Sequence, residues 1–527
     1  MPNQYLIVPS PPTPNGRLHL GHMAGVYLPL DIFTRALRQH GQTVFFIGST
    51  DAYDSYVSLL HSDEQECKRR VLDLHAGIAQ DLKLLAIDMD EFSCPVGTVW
   101  HELYVQTQTN VFNALAALGK VQDVSESYLE DVETGSICSG GRLSGNCPYC
   151  FSSLWGFICE GCGAINSPEH LINSFAVSGK PTLERQHVSQ FLKLSYDTRN
   201  YLRARISERF ASSKVADTPL WFLAQQDALV RLTYAGDYGL SLEGFSATEK
   251  IFNYSGFADY VFAGELYKKL TGDQINPFER GSDFVTVGMC GFDNVLSSLV
   301  FESAVAQESL TWKCVDHPII SGFLTFEGSK FSTSRKHGIW GHELLSCKKV
   351  DRDILRYYLA SICPEESTRD FSVERYIEFN NVGAGRDFYN SIQRAHECLT
   401  TVGFVTSVQV ECPPSLTQLF SAPWCNADLN DLSVSAVIEG IERWMAQQAM
   451  LMVDQQGALV YLYGLATLAY PVLPGVAAAL WTRLGLTGLP TLTQPPPALC
   501  YRGEVLSLPL LDKADIEFSI HQMQDAE

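Results

Sequence analysis

Short apolar runs alternate with amphipathic stretches at the start of the chain. Residues 5–9 (Tyr-Leu-Ile-Val-Pro) form one such run, and a Pro/Asn/Gly-rich turn follows it. Between residues 18 and 39 apolar positions then recur at helical spacing, so strand, turn and helix are predicted in that order. A second run, Val44-Phe45-Phe46-Ile47, stops at Gly48, with Asp51 just beyond it. Strands alternating with helices predict a parallel α/β sheet, which binds ligands beyond the carboxyl ends of its strands. Around residues 136–163 the texture changes to Gly, Ser and Cys and marks a small insertion. The α/β texture returns from about residue 250 to 324. Residues 355–362 lead into a last section with helical periodicity and no obvious strands.

Length and composition narrow the class. At 527 residues the chain is long enough for two to four domains, and 46% apolar with 18% charged residues excludes a disordered or fibrous protein. No uncharged apolar run is long enough to span a bilayer, and residues 459–480 are interrupted by Gly464, Pro471 and Pro474. The Met-Pro-Asn-Gln start lacks a basic signal-like region, so a cytoplasmic protein with no membrane association is expected. The formal net charge of −21 weighs against polyanion partners, because binding to phosphate backbones is driven by counterion release at Lys and Arg.

Fifteen cysteines without a signal peptide point to core filling or metal rather than disulfides. Cys147-Pro-Tyr-Cys150 and Cys159-Glu-Gly-Cys162 supply two thiolate pairs at the spacing of zinc knuckles. With all four positions filled by protein no ligand site stays open, so a structural Zn²⁺ is expected; Cys138 is read as a bystander.

Two further motifs carry phosphate chemistry. His19-Leu20-Gly21-His22 puts two imidazole donors at the predicted start of a helix, and Gly21 would permit close approach of a nucleotide. Gly328-Ser-Lys330-Phe-Ser332-Thr-Ser334-Arg335-Lys336 is a Gly-entered loop of cations and hydroxyls suited to a leaving pyrophosphate. Each is weak alone. Together they resemble the HIGH-type and KMSKS-type motifs of class I aminoacyl-tRNA synthetases. The run Pro12-Thr-Pro-Asn-Gly-Arg-Leu-His-Leu-Gly-His-Met23, the four-cysteine insertion and Asp351-Arg-Asp-Ile-Leu-Arg-Tyr-Tyr-Leu359 narrow the resemblance to the methionyl subclass.

The resemblance implies a Rossmann-like parallel-sheet catalytic domain over residues 1–118 and 235–325. It also implies a connective insertion with the zinc knuckle (119–234), a KMSKS-type loop and linker (326–375) and a C-terminal α-helical bundle resembling an anticodon-binding domain (376–527). The implied reaction is attack of an amino-acid carboxylate on the α-phosphate of ATP, giving an aminoacyl-adenylate and pyrophosphate. His19 and His22 would stabilise the phosphates, and Lys330 the departing pyrophosphate with Mg²⁺. Gly21, Ser332, Ser334 and Arg335 would line the nucleotide. Gly291-Phe-Asp293 resembles the element that places an Asp on the ribose. Asp51 would hold the substrate's α-amino group, although a helix N-cap is an equal reading of that residue.

The chain departs from the subclass in the amino-acid pocket. Aromatic and histidine positions of the family align with Thr13, Asn253 and Ser298, leaving Tyr260 as a wall, and the loss of rings argues against methionine. A small polar pocket would suit glycine, serine or another short or polar amino acid. The loop's second lysine is Thr333. Beyond Phe371 the chain lacks the family's Asn and Pro-Trp anticodon pair between residues 428 and 470. Its only cations there are Arg375, Arg386, Arg394, Arg443, Arg483, Arg502 and Lys513, against about twice as many carboxylates.

Three functions stay open. One is amino-acid activation with transfer to a small-molecule acceptor, resembling the synthetase-like half of hydrazine-forming enzymes that load an N-hydroxylated amine before rearrangement at a cupin. Any cupin partner would be a separate chain. The second is a methionine–tRNA ligase, and the third a non-catalytic binding protein of the same fold.

Overall fold

In the computed structural model the described residues are 4–61, 63–211, 213–331, 336–365, 367–400, 407–421, 433–493 and 496–521. A five-stranded, all-parallel sheet forms the centre. Its spatial order is His317–Ser321, Val285–Gly291, Gln4–Pro9, Thr43–Ser49 and Glu91–Ser93. The first strand of the chain thus lies between the second and the fourth in sequence. That arrangement makes a crevice at the carboxyl ends of Gln4–Pro9 and Val285–Gly291, where connections leave in opposite directions. Tyr5, Leu6, Ile7 and Val8 are all buried, as expected for a strand covered on both faces.

The helix predicted over 18–39 forms in three pieces. Leu20–His22 is α-helical, Met23–Tyr27 is a π turn, and Leu28–Gln39 is α-helical again. Pro29 lacks the N–H that an α-helix would direct at Gly25, and the wider turn lies just before it.

The insertion contains an antiparallel sheet ordered Leu229–Arg231, Thr182–Lys193, Val121–Asp131 and Ile137–Cys138. A smaller sheet of Ser153–Trp155, Leu143–Asn146 and Ile172–Ala176 carries the cysteines. Arg231 and Glu126 form a buried ion pair beneath the larger sheet.

After residue 372 the structure is mainly helical, including Ala384–Thr400, Val434–Met445, Gln455–Ala469 and Pro474–Arg483. Two short strands lie late in the chain where none was expected. Arg369–Phe371 pairs with Leu324–Phe326, and Ile520–His521 pairs with Gly338–Ile339. Segments of two or three residues are too short to leave a period-two pattern. The helical region is welded to the sheet by Arg356, which is fully buried. It pairs with Asp31 at 2.7 Å and donates to the carbonyls of Leu85, Pro471 and Val472. Among the described residues no helix is long and apolar enough to cross a membrane.

Candidate active site

A cleft of about 1120 Å³ opens at the crevice between the first and fourth strands. Thr13, His19, Gly21, His22, Asp51, Asn253, Tyr260, Gly291, Asp293, Ser298 and Lys330 all line it. Residues from five separate stretches of sequence are therefore brought to one place.

At the phosphate end the His19 and His22 rings stack with centroids 3.7 Å apart, and the Nδ1 of His19 accepts the His22 backbone N–H at 3.3 Å. Burial holds both imidazoles below their ordinary range, and nearby Lys330 lowers them further; His22 falls to about 4. Both are neutral at pH 7. Each presents an N–H donor rather than a fixed cation, and with its Nδ1 occupied as an acceptor His19 carries its proton on Nε2. Gly21 is closely packed: a Cβ there would lie 3.0 Å from the His19 ring and from Phe331.

Asp293 follows the strand Val285–Gly291 in a short turn. Burial raises its carboxyl and Lys330 opposes that rise, while Asn294 donates to it at 3.2 Å. Lys330 lies on the short strand Ser329–Lys330, its Nζ 2.7 Å from Glu160 and over the Phe323 ring. Ser332, Thr333, Ser334 and Arg335 lie outside the described residues.

The amino-acid end is acidic. Asp51 accepts from Asn253 Nδ2 at 2.6 Å, so Asn253 positions that carboxylate. The N-cap of the short helix Ser55–Leu59 is Asp54 and not Asp51. Thr13 spends its hydroxyl on Asp54, at 2.6 Å. Ser298 is buried within hydrogen-bonding reach of Tyr260. Sequence reasoning missed Asp54, Asp259, Glu302 and Glu160, all of which line the same cleft. Glu302 did leave a signal, a lone acid within the apolar run Leu299-Val-Phe-Glu-Ser-Ala-Val305. Asp259 left none, since an acid in a helix's first turn is commonplace.

The sulfurs of Cys147, Cys150, Cys159 and Cys162 lie within 4.8 Å of one another, with Cys147 to Cys162 at 3.8 Å and Cys150 to Cys159 at 3.4 Å. Four thiols at these separations fit a tetrahedral Zn²⁺, whose bonds of ~2.3 Å put sulfurs roughly 3.8 Å apart. Cys138 stands outside the group. Both knuckles turn through a left-handed residue directly after the second cysteine, Phe151 and Gly163. Gly163 has a second constraint. Its Cβ would lie 2.4 Å from Val295, so the knuckle rests directly on the segment that carries Asp293.

A family model described as tRNA synthetases class I (M) matches residues 5–396. The chain belongs to this family. Curated relatives include the methionine–tRNA ligase of Cytophaga hutchinsonii, 28% identical over 75% of this chain and 58% of that protein. Another is the methionine–tRNA ligase of Bacteroides fragilis, 28% identical over 73% and 56%. The chain thus spans less than three fifths of the length of these relatives. Among solved structures, Mycobacterium tuberculosis methionyl-tRNA synthetase bound by methionyl-adenylate superposes with a TM-score of 0.68 at 13% identity, covering 95% of this chain and 99% of that one. That likeness concerns the fold, and it extends through the helical region of this class I synthetase relative.

Proposed function

We propose that the cleft activates an amino acid with ATP, forming an aminoacyl-adenylate and releasing pyrophosphate. The observation that carries this reading is the convergence of His19, His22, Asp293 and Lys330 on one side of a single cleft with Asp51 on the other. Neutral imidazoles donate to the phosphates. Lys330 takes the negative charge of the departing pyrophosphate, which enters as the Mg²⁺ complex of ATP, and Asp293 accepts from ribose hydroxyls. Asp51, held by Asn253, receives the α-ammonium and aims the carboxylate at the α-phosphate. Catalysis of this kind is positioning plus charge stabilisation. The four cysteines would hold Zn²⁺ as a structural brace.

For the second half-reaction we propose transfer to a small nucleophile such as an N-hydroxylated amine, with any cupin-type partner of a hydrazine-forming route a separate chain. Support comes from the helical region, whose cations are few and two of which are engaged. Arg386 donates to the Leu508 carbonyl, and Arg443 pairs with Glu439 at 2.5 Å. Splayed RNA bases need free cations and stacking groups. A second reading, methionine–tRNA ligase, is favoured by the relatives' names. Amino-acid-dependent ATP–pyrophosphate exchange tests the first half-reaction. Charging of tRNA against hydroxamate or N-hydroxylamine acylation tests the second. Efficient methionine charging would replace the small-acceptor reading, and absence of exchange with every amino acid would leave a binding protein.

A further inference from the structure

The end of the cleft around Asp51 carries more carboxyls than one α-ammonium can answer. Asp51, Asp54, Asp259 and Glu302 all line it. Asp51 is pushed well above the usual carboxylate range by burial, then by Asp54 and Asp259. Asp259, on the helix Phe257–Thr271, makes its bonds outside that helix. Gln108 donates to it at 2.9 Å and Tyr104 lies within hydrogen-bonding reach. Glu302 receives Ser297 Oγ on one oxygen at 3.2 Å, while its Oε2 is closed to solvent and has no partner among the described residues.

The groups acting on Asp259 and Glu302 are hydroxyls, an amide and each other's neighbourhood, with no lysine, arginine or histidine among them. The cations that do line the cleft serve its other end: Arg17 is taken by Asp81 at 2.5 Å and Lys330 by Glu160. Burial lifts Asp259 to about 7, and burial together with the neighbouring Asp259 lifts Glu302 to about 8. Holding uncompensated carboxyls in such a site costs stability, and a native chain tolerates that cost where a ligand relieves it. An unpartnered buried carboxylate oxygen is a hydrogen-bond acceptor awaiting a donor.

We propose that this synthetase-like cleft takes an α-amino acid with a second amine on its side chain, Asp51 receiving the α-ammonium while Asp259 and Glu302 receive the side-chain ammonium. The inference rests on the activation reading and names its substrate class as diamino acids of the lysine and ornithine kind. It replaces the expectation of glycine or serine, because a small neutral substrate would leave the two deeper acids unanswered. It also excludes methionine on charge. A thioether brought against two carboxyls offers no donor to either.

Equilibrium dialysis without ATP separates the substrate claim from the chemistry. L-lysine and L-ornithine are compared with norleucine and methionine, and the same four are run in ATP–pyrophosphate exchange. Diamino acids are expected to bind the wild-type chain at least tenfold more tightly than norleucine, the lysine isostere without the amine. Asp259→Asn and Glu302→Gln should each weaken lysine binding about tenfold and leave norleucine unchanged. Equal or tighter binding of norleucine or methionine to the wild-type protein overturns the proposal whether or not the variants fold, as does unchanged lysine binding in the double variant. Lysine binding without exchange would sustain the proposal and sink the activation reading. Exchange confined to neutral amino acids would do the reverse.

Discussion

The two ends of the cleft treat charge in opposite ways. At the phosphate end each ionisable group has a partner or has lost its charge: the stacked histidines are neutral, and Lys330 and Glu160 neutralise each other. At the amino-acid end four carboxyls stand together and Glu302 keeps an oxygen with no partner among the described residues. A polyanion such as triphosphate meets ready donors with no surplus positive charge to desolvate. A cation meets buried carboxyls whose described neighbours include no compensating cation. On the proposed activation reading the nucleotide end is generic, and selectivity resides where charge is uncompensated.

The largest effect expected from breaking this contrast is at the phosphate end. His22→Ala should lower exchange by two to three orders of magnitude with every amino acid, as for loss of one preorganised donor, with amino-acid binding in dialysis retained. A fall limited to one amino acid would show that the two ends are not separable. Next comes the brace between them. Chelating the cysteine site, or Cys159→Ala, should lower the melting temperature and abolish exchange, because the knuckle supports both Val295 beside Asp293 and the Glu160 partner of Lys330. Full exchange in a metal-free protein would detach the knuckle from the site.

The acidic end should reveal itself through pH. Carboxyls at about 7 and about 8 bind protons in the folded state that they release at ordinary values near 4 when unfolded. Ligand-free stability should therefore fall as pH rises from about 4 to about 8, by a few kcal/mol across both groups. Asp259→Asn with Glu302→Gln should flatten that slope in denaturant titrations at pH 5 and pH 8, and saturating lysine should restore stability in the wild type alone. Tyr104, Gln108, Tyr260, Cys290, Ser297 and Asp51 face the pair, and none supplies a compensating positive charge. The smallest effect belongs to Glu160→Gln. Freeing Lys330 from its exposed partner should lower KM for ATP a few-fold with little change in kcat, in keeping with the modest worth of surface ion pairs.

Much of the nucleotide end was legible in the chain. His19-Leu-Gly-His22 and Lys330 lie within short motifs whose spacing carries their chemistry, and the apolar runs 5–9 and 44–47 became neighbouring strands of the parallel sheet. The four cysteines announced their cluster by spacing alone. The π turn before Pro29 and the strand Ile520–His521 were invisible, since both are too brief to alter a periodic pattern. Gly21 was legible as part of its motif, but its packing against Phe331 was not. Its neighbour across the fold, Phe331, is 310 positions away.

By itself the sequence determined the family, the α/β class and the motif residues that meet in the cleft, because these depend on local periodicity and on residues close together in the chain. Only the tertiary structure decided how the substrate end is charged. Asp51, Asp259 and Glu302 come from three distant stretches, and each alone reads as a cap, a first-turn acid or a stray charge in an apolar run. Their meaning arises from sharing one end of a cleft whose described cations, Arg17 and Lys330, are engaged by Asp81 and Glu160. Whether a buried charge is compensated depends on spatial neighbours, and a linear sequence does not contain them.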